Sequence, residues 1–148
     1  MRPPLSHLLP LFWTLLLPAA SAAQSIDITL SIAGHPLRAE VAATPDSRSQ
    51  GLMFREHLEA NRGMLFVFPE TTTQSMWMMN TLIPLSVAFI GPDGRILNIR
   101  DMTPQTLDVH SSEGSAAYAL EMNRGWFAHR GIGRGARVEG LERAPPPE

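Results

Sequence analysis

Four polar residues lie beside apolar runs, where their side chains can combine into a binding site for a small ligand: Arg55, Asn80, Thr81 and Glu121. The planar guanidinium of Arg55 suits a carboxylate or another anion, to which it donates parallel hydrogen bonds. Glu121 falls inside an apolar stretch, and a buried charge without a partner is very costly. If both side chains are buried, we therefore expect Arg55 and Glu121 to pair.

These residues also have purely structural explanations. Arg55 can form an ion pair, or it can bond backbone carbonyls at a bend of the chain. Asn80 tolerates the left-handed backbone conformation and bonds its own main chain, so Asn80 and Thr81 can simply form a turn. The functional alternative is a polar pocket rim, where an amide and a hydroxyl recognise a sugar or a peptide.

Methionine is unusually frequent, with 8 residues in the chain and three of them between Met76 and Met79. Thioethers are soft ligands for Cu(I), and a strand would place Met76 and Met78 on one face. Met also fills gaps in small cores and packs on aromatic rings. No two histidines after the leader have metal-ligand spacing, so we predict no metal or cofactor, with a Cu(I) site at Met76 and Met78 as the alternative.

Catalytic groups of the usual kinds are scarce. The chain has no Cys, and all 12 basic residues are Arg, which excludes thiol nucleophiles, Schiff-base chemistry and a Walker-type phosphate loop. No Ser has the GxSxG context of a nucleophile elbow, and Asp108–Ser112 has suitable residue types without diagnostic spacing. An envelope hydrolase remains an alternative function only if distant residues such as Asp101, Glu121 and His129 converge in the fold.

The first 23 residues have the pattern of a secretory signal peptide. Arg2 supplies the positive charge, Leu5–Leu17 is mostly apolar, and Ala20–Ala22 has the small-x-small pattern of a cleavage site. An uncleaved membrane anchor is the alternative. We expect one globular domain over residues 24–143 and a disordered Pro-rich tail over residues 144–148.

Short apolar runs separated by turn signals predict the elements that must position these residues. Residues alternate in polarity from Ile26 to Val41 around a turn at Ala33–Pro36, which indicates a hairpin. Thr44 and Pro45 signal a helix start. Gly91–Gly94 predicts a second tight hairpin turn. The pattern is typical of a mainly β domain, a small barrel or a closed antiparallel or mixed sheet, with one or two short helices.

Several motifs in a fixed order resemble the family called domain of unknown function 192. The resemblance covers about Ile26 to Val138 and rests on GLMFR, GMLFVF, WMMNTLIPL, YALE and GIGRG, at Gly51–Arg55, Gly63–Phe68, Trp77–Leu85, Tyr118–Glu121 and Gly131–Gly135. It implies a small, often exported, mainly β protein without an established activity. Members usually carry Lys at the position of Met79 and often Asp at that of Ser86.

The charge pattern bears on the choice of partner. The formal net charge is −2, and acidic and basic residues are interspersed along most of the chain, whereas nucleic-acid binders usually present a basic face. We expect an exported binding or accessory protein of the cell envelope, periplasmic or extracellular, without catalytic activity. Its expected partner is a small polar or anionic ligand or an envelope component, with membrane contact only if the leader is uncleaved.

Overall fold

The computed structural model describes residues 25–148, so the predicted signal peptide lies outside the described residues. Their secondary structure consists mostly of short strands. In chain order the elements are β1 (Asp27–Ile32), β2 (His35–Ala42), α1 (Pro45–Gln50), β3 (Arg62–Thr72), β4 (Ser75–Met76), β5 (Leu85–Ile90), β6 (Ile96–Met102), β7 (His110–Ser111), β8 (Ala116–Asn123) and β9 (Val138–Glu139), with 3₁₀ turns at Ala128–Arg130 and Leu141–Arg143.

Seven strands form one curled sheet in the order β6-β5-β8-β3-β2-β1-β9, and β4 pairs with β7 in a separate ribbon. Neighbours in the large sheet are antiparallel except β2 and β3, which run parallel with Ala39 beside Gly63. A backbone bridge between Arg95 and Arg137 links the two edges of the curl at one end. The sheet is thus a half-barrel, and the predicted mainly β fold class is confirmed.

Both predicted hairpins are confirmed. In the first, Leu30 faces Leu37 across β1 and β2. In the second, the Gly91 N–H donates to the Arg95 carbonyl over 2.9 Å, and Gly94 has a φ of 78°. That left-handed conformation is one that glycine adopts without steric cost.

Alternation along the strands separates the apolar side chains onto two faces of the sheet. The first face carries Leu65 and Leu120 in one cluster, and the second carries Phe66 and Ala119 in another. Because parallel strands cannot be joined by a tight turn, the chain between β2 and β3 has to cross over. This crossover contains α1 and places Leu52 in the second cluster, so it covers the second face.

Helix α1 begins where the sequence predicts it. The Thr44 hydroxyl accepts a hydrogen bond from the Ser47 N–H over 3.1 Å, and the Thr44 N–H donates to the Ser47 hydroxyl over 3.0 Å. These reciprocal bonds form a capping box, and Pro45 occupies the first helical position. A helix of six residues is too short to be stable alone, so the cap and the contacts with the sheet must hold it.

Replacing Thr44 with alanine is expected to lower the free energy of unfolding by about 1 kcal/mol, because amides at the helix start lose their acceptor. Urea denaturation measures the change. Ser49→Ala is the matched control, since Ser49 is an exposed residue of the same helix, and its stability should stay within about 0.5 kcal/mol of the parent. Equal losses in both variants would contradict the assigned cap.

The Pro-rich tail returns to the start of α1. The Glu148 N–H donates to the Ala43 carbonyl over 2.8 Å, and the Arg48 guanidinium donates to the Glu148 carbonyl over 2.8 Å. Within residues 25–148, no helix combines the length and the apolar character needed to cross a membrane.

Candidate functional site

A pocket of about 550 Å³ opens on the second face of the sheet. Its walls come from α1 and the turn after it, from the second half of β3 and its continuation, and from the segment around β4. The apolar part of the lining includes Leu52, Met53, Phe66, Phe68, Met76 and Trp77. A volume of this size is typical of pockets that bind small molecules.

Glu121 lines the buried part of this pocket. It lies in the middle of β8, opposite Met64 of β3 on one side and Val87 of β5 on the other. Only 4% of its surface is exposed. Neither a hydrogen bond nor a nearby charge contributes to its ionisation within residues 25–148, so its carboxyl group faces the pocket without a protein partner.

Burial changes the chemistry of the Glu121 carboxyl group. Loss of hydration disfavours the charged form and raises the pKa of Glu121 from 4.5 to about 8. At neutral pH the group is therefore mostly protonated. In that form it can both donate and accept a hydrogen bond, and a bound cation can convert it to the carboxylate.

Thr81 lines the same pocket and is also buried. Its hydroxyl donates to the Met79 carbonyl over 3.1 Å, which leaves the hydroxyl oxygen able to accept a hydrogen bond from a ligand. The Gln105 N–H donates to the Thr81 carbonyl over 3.0 Å and holds the segment in place. The structure thus brings together two of the four predicted site residues, Thr81 and Glu121.

Arg48 is a cation at the pocket wall. Its guanidinium donates to the carbonyl oxygens of Ala43, Val67 and Glu148 at 2.6, 3.1 and 2.8 Å. These hydrogen bonds occupy the guanidinium N–H donors that would otherwise bind a carboxylate or a phosphate. Arg48 therefore acts as a structural tie between α1, β3 and the tail.

Arg55 and Glu121, which the sequence predicts to pair if both are buried, do not pair, because Arg55 is not buried. Arg55 pairs instead with Glu40, with 2.8 Å between the Arg55 Nη2 and Glu40 Oε2 atoms, and its side chain is 40% exposed. Arg55 lies at a separate surface depression that it shares with His57. The reason is the crossover from β2 to β3, which brings Arg55 beside β2, whereas Glu121 lies on β8.

Asn80 does not line the pocket. It has a φ of 53°, in the left-handed region that Asn tolerates, and its carbonyl accepts a hydrogen bond from the Phe54 N–H over 2.9 Å. Of the two alternatives for Asn80, a turn and a pocket rim, this geometry matches the turn.

The two methionines proposed for Cu(I) have different environments. Strand β4 ends at Met76, so the predicted alternation does not continue to Met78. Met76 lines the pocket, whereas Met78 is fully buried in the second apolar cluster. In the part of the chain that the structure describes, no group of three or more His, Asp or Glu side chains is placed to hold a metal ion.

The residues proposed for a hydrolytic site do not converge. Asp101 lies opposite Ser86, whose hydroxyl donates to the Asp101 Oδ1 atom over 2.6 Å. Glu121 lies opposite the next residue of the same strand, Val87. Successive residues of a strand point to opposite faces, so Asp101 and Glu121 lie on opposite sides of the sheet, and His129 cannot join both.

The aromatic wall of the pocket is not among the residues predicted from the sequence. Phe66 and Phe68 belong to an apolar run that predicts only a buried strand. Trp77 is considered only as a neighbour of the methionines between Met76 and Met79. The structure shows that β3 continues beyond this run to Thr72, and the alternation of side chains places Phe66, Phe68 and Glu70 on one face of the strand.

A family model matches most of the chain, over residues 28–140. The family is domain of unknown function 192, described as an uncharacterized ACR. The chain belongs to this family. No curated protein matches this family member significantly.

Two solved structures are similar to this member of the domain of unknown function 192 family. A provisionally assigned transcription regulator from Sinorhizobium meliloti 1021 is 36% identical, with a TM-score of 0.75, and the match covers 79% of this chain and 95% of that one. A protein of unknown function from Novosphingobium aromaticivorans DSM 12444 is 31% identical, with a TM-score of 0.71, and the match covers 82% and 89%.

Ser86 is a buried polar residue of β5. Its hydroxyl donates to Asp101 and accepts a hydrogen bond from the Gly125 N–H over 3.0 Å. Ser86 thus joins β5, β6 and the turn after β8 on the face opposite the pocket.

Proposed function

We propose that this protein is an exported accessory protein of the cell envelope, periplasmic or extracellular, that binds a small polar ligand in the pocket above Glu121. One observation carries the proposal: a buried carboxyl group without a protein partner faces a pocket of about 550 Å³. Burying such a group destabilises the fold. A ligand that forms hydrogen bonds with it would offset this cost.

The ionisable groups of the lining favour a hydrogen-bond donor over an anion as the ligand. These groups are Arg48, Glu70 and Glu121. Arg48 already donates to three backbone carbonyls, so two carboxyl groups dominate what a ligand meets. Of the two ligand classes expected from the sequence, polar and anionic, the pocket supports the polar one.

Binding fits the pocket better than catalysis does. Thr81 and Glu121 are its buried polar side chains, and the Thr81 hydroxyl donates its proton to the Met79 carbonyl and not to a base that would activate it. Hydrolysis by paired carboxylates needs two groups held across the reacting bond. Glu70, the other acidic residue of the lining, is exposed at the outer end of β3 and is not held.

A role in nucleic-acid binding, which the description of the Sinorhizobium protein raises, has little support from this chain. The net charge is −2. Carboxylates neutralise several arginines, as in the pairs of Arg100 and Arg134 with Glu113 and of Arg62 with Asp27. The counterion release that drives nucleic-acid binding requires unpaired cations.

A screen of the purified protein against sugars, peptides, amines, nucleotides and cell-wall fragments tests the proposal. A compound present at one hundred times its Kd adds about 2.7 kcal/mol of stability and raises Tm visibly. Binding should also change the fluorescence of Trp77, which is 47% exposed at the pocket wall.

Removal of the aromatic wall locates the bound compound. Trp77→Ala is expected to weaken binding about tenfold, because it removes a large contact surface. Leu107→Ala is the matched control, since Leu107 is an exposed apolar residue outside the pocket, and it should leave the Kd unchanged. The proposal fails if no class of compound stabilises the protein, or if both variants bind as the parent does.

A further inference from the structure

We infer that the ligand of this pocket is a small organic cation, an ammonium group carried by an apolar or aromatic body. The inference rests on the proposed function and names the ligand class of the same site. It depends on two features of the lining: the buried carboxyl group of Glu121 and the aromatic side chains around it.

The carboxyl group selects the charged end of the ligand. Glu121 is nine-tenths buried or more and has no protein partner within residues 25–148. A neutral ligand would satisfy only its hydrogen-bonding capacity. An ammonium group would in addition stabilise the ionised form of the carboxyl group, and a charge-assisted hydrogen bond is about twice as strong as a neutral one. The chain itself supplies no amine for this position, because it contains no lysine side chain.

The aromatic side chains select the same chemistry independently. Phe66, Phe68 and Trp77 all line the pocket. The negative faces of aromatic rings attract cations, and Trp attracts them most strongly. Met53 and Met76 add polarizable apolar surface, which suits the body of the ligand. An anion would face the two carboxyl groups of Glu70 and Glu121.

Binding of an ammonium group has a consequence that binding of a neutral compound lacks. The cross-strand neighbours of Glu121 are the uncharged Met64 and Val87, and the other charged groups of the lining are Arg48 and Glu70. Since burial raises the pKa of Glu121 to about 8, the free protein holds a proton there at neutral pH. A bound ammonium group should expel close to one proton.

The test compares three compounds that share one body: phenethylammonium, phenethyl alcohol and phenylacetate. Titration calorimetry in buffers of different ionisation enthalpy gives both the Kd and the protons released. We expect the ammonium compound to bind about tenfold or more tightly than the alcohol, since bonds to charged groups are stronger. We expect no binding of the carboxylate, and close to one proton released with the ammonium compound alone.

Substitution of the carboxyl group provides the second part of this test. Glu121→Gln should reduce the preference for ammonium over alcohol about tenfold and abolish proton release. Glu56→Gln removes a carboxyl group that is exposed and outside the pocket, and it should change neither quantity. Circular dichroism and Tm confirm that both variants fold.

The outcomes separate the two proposals. Equal or tighter binding of a neutral or anionic compound in this pocket overturns the ammonium inference and leaves the binding function intact. The inference is also overturned if the Glu121→Gln variant binds ammonium compounds as tightly as the parent does. If no compound of any class binds, both the inference and the proposed function are overturned.

Discussion

Glu121→Gln is expected to raise the free energy of unfolding by roughly 3 kcal/mol at pH 7. Burial raises the pKa of Glu121 from 4.5 to about 8, so the folded protein retains a proton that the unfolded chain has released. The stability of the parent therefore falls as the pH rises through this window. Glutamine is neutral at every pH, so the variant does not lose stability in this way as the pH rises.

Urea denaturation of parent and variant across the window from pH 4.5 to about 8 measures this difference. The gain should be smallest at the acid end, where the unfolded chain also binds much of this proton, and should be largest at the alkaline end. Glu56→Gln removes a charge from an exposed side chain and should show no such trend. A variant less stable than the parent at pH 8 would show that the carboxyl group has a partner that stabilises its ionised form.

Gly63→Ala is expected to lower the free energy of unfolding by about 3 kcal/mol or more. Gly63 pairs with Met122 across β3 and β8, and a Cβ atom at this position would overlap the Glu121 carbonyl oxygen and the Met122 sulfur. Backbone atoms cannot move aside without breaking the strand pairing. The same overlap would displace Glu121, so ligand binding should weaken as well.

Gly133→Ala is the control for this substitution. A Cβ atom at Gly133 would meet nothing within 4 Å, so its Tm should match that of the parent. If Gly63→Ala were as stable as Gly133→Ala, the close approach of β3 to β8 at this point would be incorrect. Calorimetric Tm values of the three proteins decide between these results.

Local signals in the sequence were sufficient to predict several elements. Thr44 and Pro45 mark the start of α1, and Gly91–Gly94 marks the turn between β5 and β6. In each case the chemistry that forms the element lies within a few adjacent residues. The mainly β fold class follows because strand patterns recur along the chain.

The pocket was predictable only in part, because its walls come from distant segments. Glu121 stands out in the sequence as a charge within an apolar strand, and Thr81 as a polar residue after one. The parallel pairing of β2 with β3 has no local signal, yet it decides that Arg55 meets Glu40 and that α1 covers the pocket face. Phe66 and Phe68 become pocket residues only through that covering segment.

The link between the two edges of the half-barrel reduces the length of sheet edge that is open to pairing with another chain. An open sheet edge offers unpaired N–H and carbonyl groups to another chain. Here the Ile96 N–H donates to the Ala136 carbonyl over 2.9 Å, and the Val138 N–H donates to the Gly94 carbonyl over 2.8 Å. The start of β6 is thus already occupied by the chain itself, and β9 is only two residues long. A domain built this way limits edge-to-edge aggregation by backbone hydrogen bonds alone, without a disulfide to hold its sheet closed.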